Sequence, residues 1–358
     1  MVTKHLLAFL KSTGALYFAR KKNFKLKYPF NKRLTKQELK SVKLFWGGEF
    51  SCYKKSNICY EFYKHFGVVD SRLVANDVYA EAEKVLNPFR YSLFLQHKCC
   101  LKYLIPKEYR PQTIIQNING HYMDNEDNII SKEEAIKIAK TYKAFFIKMS
   151  IDSGSGRGIM KVETNKDDID EVFNTYAKDF ICQVPLEEHY TLSRFNDSCI
   201  NTIRVLSLNI NDNCTILSSF IRMGGLGSIV DNLHASNGSG VLVGIKPDGT
   251  LHPFGVDKNY NKTYKSPIGL HFEGMQIENF HKVVEFTKYW HSKSFPFANL
   301  IGWDIIIDKS GKPIVIEINL DSADIAAHQI FNGPIFGSRT SEVVEYMKNN
   351  PRKKFLQL

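Results

Sequence analysis

Residues 302–320 read GWDIIIDKSGKPIVIEINL, and this stretch decides the fold. Two short runs rich in Ile and Val flank the turn sequence Lys-Ser-Gly-Lys, which predicts a β-hairpin. Folding the hairpin symmetrically about its turn places Asp304 opposite Glu317, with Asn319 on the same face as Glu317. The opposite face carries apolar side chains that we expect in a core, namely Ile305, Ile307, Ile316 and Ile318.

The polar face of this hairpin predicts a cation site. Side chains of directly opposed residues lie about 5 Å apart at Cβ, and like charges at that distance are destabilising. A hard cation that binds oxygen ligands would offset the repulsion between Asp304 and Glu317. Mg²⁺ is the first candidate, because it takes a few carboxylates together with substrate phosphates. The alternative is a pair of acidic residues at a solvated strand end.

The net charge of +11 lies in one segment of the 358-residue chain. Residues 1–44 hold twelve Lys and Arg and a single acid, Glu38, whereas the remainder has equal numbers of basic and acidic residues. The globular part is therefore not expected to bind nucleic acid. A basic amphipathic segment favours contact with an anionic membrane surface. A solvated helix packed on its own domain is the equal alternative.

Apolar runs and cysteines indicate a cytoplasmic protein. No run approaches the roughly 20 apolar residues of a membrane span. No small-residue cleavage site follows the apolar residues near the N-terminus, so we expect no signal peptide. Seven cysteines without a CxxC pair fit reduced thiols better than a disulfide framework.

A glycine-rich loop at residues 153–158 lies between predicted strands 144–149 and 159–162, with Lys148 just before it. Glycines let backbone N–H groups approach a phosphate. A Walker loop would need G-x-x-x-x-G-K-[ST] before a helix, and a Rossmann loop would need a helix after it. The remaining interpretation is a flap that closes over a triphosphate, with a flexible hairpin as the alternative.

The order of five segments resembles a known superfamily. FIKMSIDSGSGRGI is followed by FICQVPLEEH, NTIRV, GWDIII and IEIN, and together they resemble the ATP-grasp superfamily. More narrowly, residues 98–336 resemble the sugar-transfer-associated ATP-grasp branch, which is related to α-L-glutamate ligases. The resemblance implies an α/β (α+β) ATP-grasp fold, in which two α+β subdomains grip ATP after a mainly helical N-terminal region.

We expect three parts in the chain. The basic segment 1–44 comes first, and a helical region, 45–125, precedes the ATP-grasp domain. That domain spans 126–345, with a flap subdomain at about 140–190 and a Mg²⁺-binding subdomain at about 198–340.

Residue roles follow from the resemblance. ATP and two Mg²⁺ ions are the implied cofactors. The metal would be held by Asp304, Glu317 and Asn319. The catalytic side chains would be Arg204, Lys148 and Arg222, with Arg204 facing the γ-phosphate. ATP would contact Lys98, Lys148, Ser153, Gly154, Ser155, Gly156, Gly158, Gln183, Val184, Glu187 and Glu188. Of these, Gln183 and the Val184 backbone would meet the adenine, and Glu187 or Glu188 the ribose. The acceptor would meet Arg222, Asn232 and Gly238.

The implied reaction is amide formation by a carboxylate–amine ligase through an acyl phosphate. Its partners would be a sugar (uronic acid) carboxylate and an amino acid in surface polysaccharide or capsule biosynthesis. The enzyme would act in the cytoplasm, with peripheral contact at the inner face of the cell membrane through residues 1–44. Two alternatives stay open: a phosphotransferase acting on a hydroxyl, and a non-catalytic module that binds nucleotide or glycan.

Overall fold

The computed structural model describes residues 33–47, 58–87, 94–151, 158–233, 239–320 and 324–350. The chain divides into two compact units, Met1–Ala75 and Asn76–Leu358. Within the described ranges, no helix is both long and apolar enough to cross a membrane.

The N-terminal unit contains helix α1, Lys36–Phe45, and helix α2, Ile58–His65. Helix α1 begins with a capping box, in which the Thr35 side chain accepts from the Glu38 N–H and the Glu38 carboxylate accepts from the Thr35 N–H. Lys64 forms an ion pair with Glu38 at 2.7 Å. The described end of the basic segment, residues 33–44, is therefore mostly helical. The apolar residues on which the membrane expectation depends lie outside the described residues.

The second unit contains seven α-helices and thirteen strands among its described residues. The helices are α3 Asn76–Leu86, α4 Lys132–Lys140, α5 Ile169–Tyr176, α6 Tyr190–Ser193, α7 Phe280–Ser294, α8 Ile325–Asn332 and α9 Thr340–Asn349. The strands are β1 Thr113–Ile118, β2 His121–Met123, β3 Ile129–Ile130, β4 Ala144–Met149, β5 Ile159–Glu163, β6 Phe180–Gln183, β7 Thr202–Ile210, β8 Asn213–Met223, β9 Val241–Ile245, β10 Leu251–Val256, β11 Lys262–Thr263, β12 Leu300–Ile307 and β13 Pro313–Asn319. Three 3₁₀ helices span Lys98–Tyr103, Lys107–Tyr109 and Gly337–Arg339.

The smaller sheet has the order β3-β2-β1-β6-β4-β5 and contains the three strands of the expected flap segment, β4, β5 and β6. Asn119 and Gly120 connect β1 to β2 with φ of 50° and 89°, so this turn uses the left-handed backbone that Asn-Gly tolerates. Ser131 caps α4 by accepting from the Glu134 N–H at 3.1 Å. Buried side chains of α4 and α5 pack with those of β1, β4 and β6 into one core.

The larger sheet has the order β11-β10-β9-β8-β7-β12-β13. The predicted hairpin is its edge pair β12–β13, and Asp304 is paired with Glu317 as expected. The register shifts after this pair, because the next residue, Ile305, is paired with Val315 and not with Ile316. Ile316 is therefore an extra residue in β13. We expected Ile316 to lie on the core face with Ile318. Instead, Ile316 is half-buried and lines the cavity described below.

Buried polar groups hold β12 at its start and at its centre. The Asn87 side chain donates to the carbonyls of Leu300 and Leu320 and accepts from the Leu300 N–H at 3.1 Å. In the core, Trp303 donates to Ser207 Oγ at 2.7 Å, and that hydroxyl contacts His291 Nδ1 at the same distance. Burial lowers the pKa of His291 to about 4. This Ser–His pair is structural, since both side chains are fully buried.

The segment that carries Lys98 precedes β1 in the chain. It consists of two 3₁₀ helices, and Lys98 begins the first of them. The side chain of His97 caps this first turn by accepting from the Cys99 N–H at 3.2 Å. The Lys98 N–H donates to the carbonyl of Ser150 at 3.0 Å, which fixes the segment against the end of the flap strand β4.

Candidate functional site

A cavity of about 470 Å³ gathers most of the predicted site residues. Its wall includes Lys98, Lys148, Gln183, Val184, Glu187, Glu188, Arg204, Arg222, Asn232, Asp304, Glu317 and Asn319. Gly158 is described but does not line the cavity. The other expected loop residues, Ser153, Gly154, Ser155, Gly156 and Gly238, lie outside the described residues.

Four charged side chains form a chain across the cavity floor. Arg204 and Asp304 are cross-strand neighbours on β7 and β12, and the guanidinium donates to both carboxylate oxygens, with Nη2 to Oδ2 at 3.1 Å. Arg222 Nη2 lies 3.0 Å from Asp304 Oδ2 and 3.0 Å from Asp231 Oδ2. Asp231 was not predicted, because only the loop after β8 brings it to Arg222.

The arginines settle the charge state of Asp304. Burial by itself would raise the pKa of this carboxyl, but Arg204 and then Arg222 more than offset it and hold the pKa below its usual range. Burial would lower the pKa of Arg222, yet Asp231 and Asp304 raise it. The Asp304 carboxyl is therefore ionised near neutral pH, and the Arg222 guanidinium is protonated. The repulsion expected between Asp304 and Glu317 is offset by cations that the hairpin alone does not contain.

Glu317 and Asn319 offer the most accessible oxygen ligands. Glu317 Oε1 accepts from Lys98 at 3.0 Å, and its Oε2 has no hydrogen-bond partner among the described residues. The buried Nδ2 of Asn319 also lacks a partner there. Rotating that amide by 180° would exchange the nitrogen for Oδ1, which is an oxygen ligand for a hard cation. No cluster of three His, Cys, Asp or Glu able to hold a metal occurs in the described ranges.

The flap supplies two lysines. Lys148 Nζ donates to Gln183 Oε1 at 3.2 Å. Desolvation lowers the pKa of Lys148 to about 8, with Glu317 partly opposing the shift. Lys161, which was not predicted, also lines the cavity, because it is paired with Phe146 across β4 and β5. Strand alternation thus directs Phe146, Lys148 and Lys161 toward one ligand volume.

The expected nucleotide end is partly preorganised. The Val184 N–H donates to the carbonyl of Gln112 at 2.9 Å, so the carbonyl of Val184 is its backbone group open to a ligand. Glu187 is exposed and lies 2.8 Å from Lys309. Glu188 accepts from the backbone and side chain of Asn201. Burial raises the pKa of Glu188 to about 8, although these hydrogen bonds oppose the shift.

The opposite end of the cavity is formed by residues 197–200 and by residues 229–232 of the loop that follows β8. The Asn196 side chain joins the two segments by donating to the Gly224 carbonyl at 2.7 Å. Apolar side chains from both segments, including Ile200 and Ile229, stand in the wall beside Asp231. A single cavity therefore combines a basic region suited to phosphates with an end that is part apolar and part acidic.

The family comparison agrees with this geometry. Residues 79–345 match the family described as sugar-transfer associated ATP-grasp. The chain belongs to this family. The ATP-grasp fold and the family resemblance expected from the sequence are confirmed by this match. No curated protein matches the chain.

Solved structures with similar folds were also found. D-alanyl-alanine synthetase A from Vibrio cholerae is 12% identical over 72% of this chain and 65% of its own, with a TM-score of 0.43. VanG D-Ala:D-Ser ligase from Enterococcus faecalis is 13% identical over 72% and 61%, with a TM-score of 0.40. L-amino acid ligase from Bacillus licheniformis is 12% identical over 65% and 42%, with a TM-score of 0.36. The chain thus spans about two fifths to two thirds of these proteins.

Proposed function

We propose that this protein is an ATP- and Mg²⁺-dependent carboxylate–amine ligase that forms an amide through an acyl phosphate. The observation that carries the proposal is the cavity in which Lys98, Lys148, Arg204 and Arg222 meet the Glu317–Asn319 strand end. Phosphoryl transfer needs positioning and charge neutralisation more than a protein nucleophile. The described part of the chain offers cations in that cavity and keeps its Ser–His pair in the core.

The reaction would proceed in two steps. A carboxylate oxygen of the first substrate attacks the γ-phosphorus of ATP, the bond to the β-phosphate oxygen breaks, and ADP leaves. The amine nitrogen of the second substrate then attacks the acyl carbon, and the C–O bond to phosphate breaks. Of the two protons that the ammonium loses, one goes to the departing phosphate and one to solvent.

The side chains divide this work. Lys98 and Lys148 bind the phosphates of ATP, and Arg204 stabilises the charge on the transferring phosphoryl group. Gln183 and the Val184 carbonyl face the adenine, and Glu187 or Glu188 contacts the ribose. Arg222 and Asn232 hold the acceptor.

The donor set fits Mg²⁺. Among the described residues, Glu317 Oε2 accepts no hydrogen bond, and the buried Asn319 Nδ2 has no partner. These two residues would hold the ions with the phosphates, and Asp304 would join them by exchanging an arginine contact. Two bound ions would neutralise the phosphate charge. Structures titled as complexes of ATP-grasp ligase PsnB with Mg and ADP, and of a biotin carboxylase domain with MgADP, contain this pair of ligands.

The substrates we propose are a uronic acid carboxylate and an amino acid, joined in surface polysaccharide or capsule biosynthesis at the cytoplasmic face. The support is the family description, which associates these proteins with sugar transfer. The phosphotransferase alternative uses the same phosphate-binding side chains but places a hydroxyl at the acceptor end.

A hydroxylamine trap tests the reaction class. The full chain is incubated with Mg²⁺–ATP, glucuronate or galacturonate, and hydroxylamine. Hydroxylamine converts an acyl phosphate into a hydroxamate, which is detected as its coloured ferric complex. The ligase reading predicts hydroxamate and ADP in equal amounts, dependent on the carboxylate. If no carboxylate in a wide panel gives hydroxamate while a sugar hydroxyl yields a phosphate ester, the protein is a phosphotransferase.

A further inference from the structure

We infer that Asp231 is the residue that recognises the amine substrate, which it binds as an ammonium group. This inference rests on the proposed ligase function and assigns the second substrate to a defined carboxylate. None of the residues expected from the sequence performs this task. From the sequence, we expected Arg222, Asn232 and Gly238 at the acceptor, and no anionic partner for the amine.

The geometry gives Asp231 one free oxygen at the cavity. Both hydrogen-bonding contacts of Arg222 with Asp231 use Oδ2, at 3.0 and 3.1 Å. Asp231 Oδ1 has no partner among the described residues, although the side chain is only 15% exposed. A sparingly exposed carboxylate with an unused acceptor favours a donor ligand, and an ammonium group with its three N–H bonds supplies one.

Other acids that line the cavity are less suited. Glu188 is already bonded to Asn201 through both oxygens, and its raised pKa of about 8 reduces its charge at neutral pH. Asp304 is saturated by two arginines. Asp197 lines the cavity but is exposed to water, where a single charge pair contributes little. Asp231 is the acid among these that combines partial burial with an unused oxygen.

The test compares two nucleophiles in the full-length Asp231→Asn variant. Asparagine keeps an oxygen that can accept from Arg222 but removes the negative charge. Hydroxylamine is mostly uncharged near neutral pH, whereas an amino acid presents an ammonium group. The inference predicts that Asp231→Asn raises the KM for the amino acid about tenfold or more. The rate of hydroxamate formation and the KM for ATP should change less than threefold.

Two variants and three outcomes complete the design. Asp231→Glu, which restores the charge, should recover part of the amino acid affinity, and Asp197→Asn should not alter it. Equal amino acid KM values in wild type and Asp231→Asn would overturn the inference while leaving the ligase intact, as would an effect confined to Asp197→Asn. Absence of hydroxamate in the wild type would instead reject the ligase function, and the amine assignment with it.

Discussion

Asp304 determines the geometry of the site more than any other residue. It is 3% exposed and touches two guanidinium groups, so its carboxylate orients both arginines toward the cavity. The pair with Glu317 was readable from the sequence, because hairpin symmetry fixes it. The arginine contacts were not, since they depend on how β7 pairs with β12 on one side and with β8 on the other.

Replacing Asp304 by Asn should destabilise the protein strongly. The substitution leaves Arg204 buried without its anionic partner, and removing one member of a buried ion pair typically costs about 3–5 kcal/mol. Urea unfolding at pH 7 measures this loss, with Asp212→Asn on an exposed turn as the control that should change stability by less than about 0.5 kcal/mol. A loss as small as that of the control would contradict the ion-pair account.

The same pair makes stability sensitive to acid. The folded state holds the pKa of Asp304 below the ordinary value of 3.8, so its contribution is complete above that pH and is lost as the pH falls through the folded pKa. When the pH is lowered from neutral to acid, the free energy of unfolding should therefore fall less in Asp304→Asn than in the wild type. Urea unfolding at a series of pH values measures this difference.

Lys148 should make ATP affinity depend on pH. Its pKa of about 8 means that it loses its charge at mildly alkaline pH, earlier than an ordinary lysine. ATP affinity is expected to fall as the pH rises from 7 to 9, by up to about tenfold per unit above the pKa. Lys148→Arg keeps its charge throughout and should bind ATP with a flatter profile in calorimetric titrations. Parallel profiles for the two proteins would show that Lys148 does not contact the phosphates.

At the scale of elements, the β12–β13 hairpin presents the metal candidates on an edge of the larger sheet. The alternation of its residues predicted the polar face, and the bulge at Ile316 was hidden because a bulge depends on the partner strand. The strands flanking the glycine loop were also predicted closely. Helix α7 and strands β10 and β11 were not predicted from the sequence.

Asn87 should anchor the hairpin. Its side chain satisfies backbone groups of Leu300 and Leu320, so Asn87→Ala leaves buried polar groups without partners. We expect a loss of about 3 kcal/mol in the free energy of unfolding, measured by urea titration. Asn350→Ala, at an exposed helix end, is the matched control. If Asn87→Ala loses as little free energy of unfolding as Asn350→Ala, the hydrogen bonds of Asn87 do not stabilise the hairpin.

At the scale of the whole molecule, the basic N-terminal segment remains a proposed membrane contact. Residues 1–32 contain eight Lys and Arg and no acidic residue. Each basic residue near an anionic surface contributes about 1 kcal/mol, and the attraction fades within a Debye length. Deletion should stop at residue 32, because Glu38 and Lys64 form an ion pair in the N-terminal unit.

Co-sedimentation with vesicles containing phosphatidylserine tests this contact. The full chain should bind at low salt and dissociate at high salt, and the chain lacking residues 1–32 should stay in the supernatant. Binding by the shortened chain that equals that of the full chain would reject the membrane role and leave the ligase proposal unaffected.

The central claim is that the Glu317–Asn319 strand end and the cavity lysines bind ATP together with Mg²⁺. Calorimetric titration of ATP into wild type and Glu317→Gln, with and without Mg²⁺, tests it most directly. Mg²⁺ should tighten ATP binding at least about tenfold in the wild type and have little effect in Glu317→Gln. The variant's unfolding free energy should change by about 1 kcal/mol or less, since it loses a partly exposed ion pair with Lys98. Two results would contradict the account. The first is a wild-type ATP affinity that does not change with Mg²⁺. The second is an ATP affinity of Glu317→Gln that rises with Mg²⁺ as much as that of the wild type.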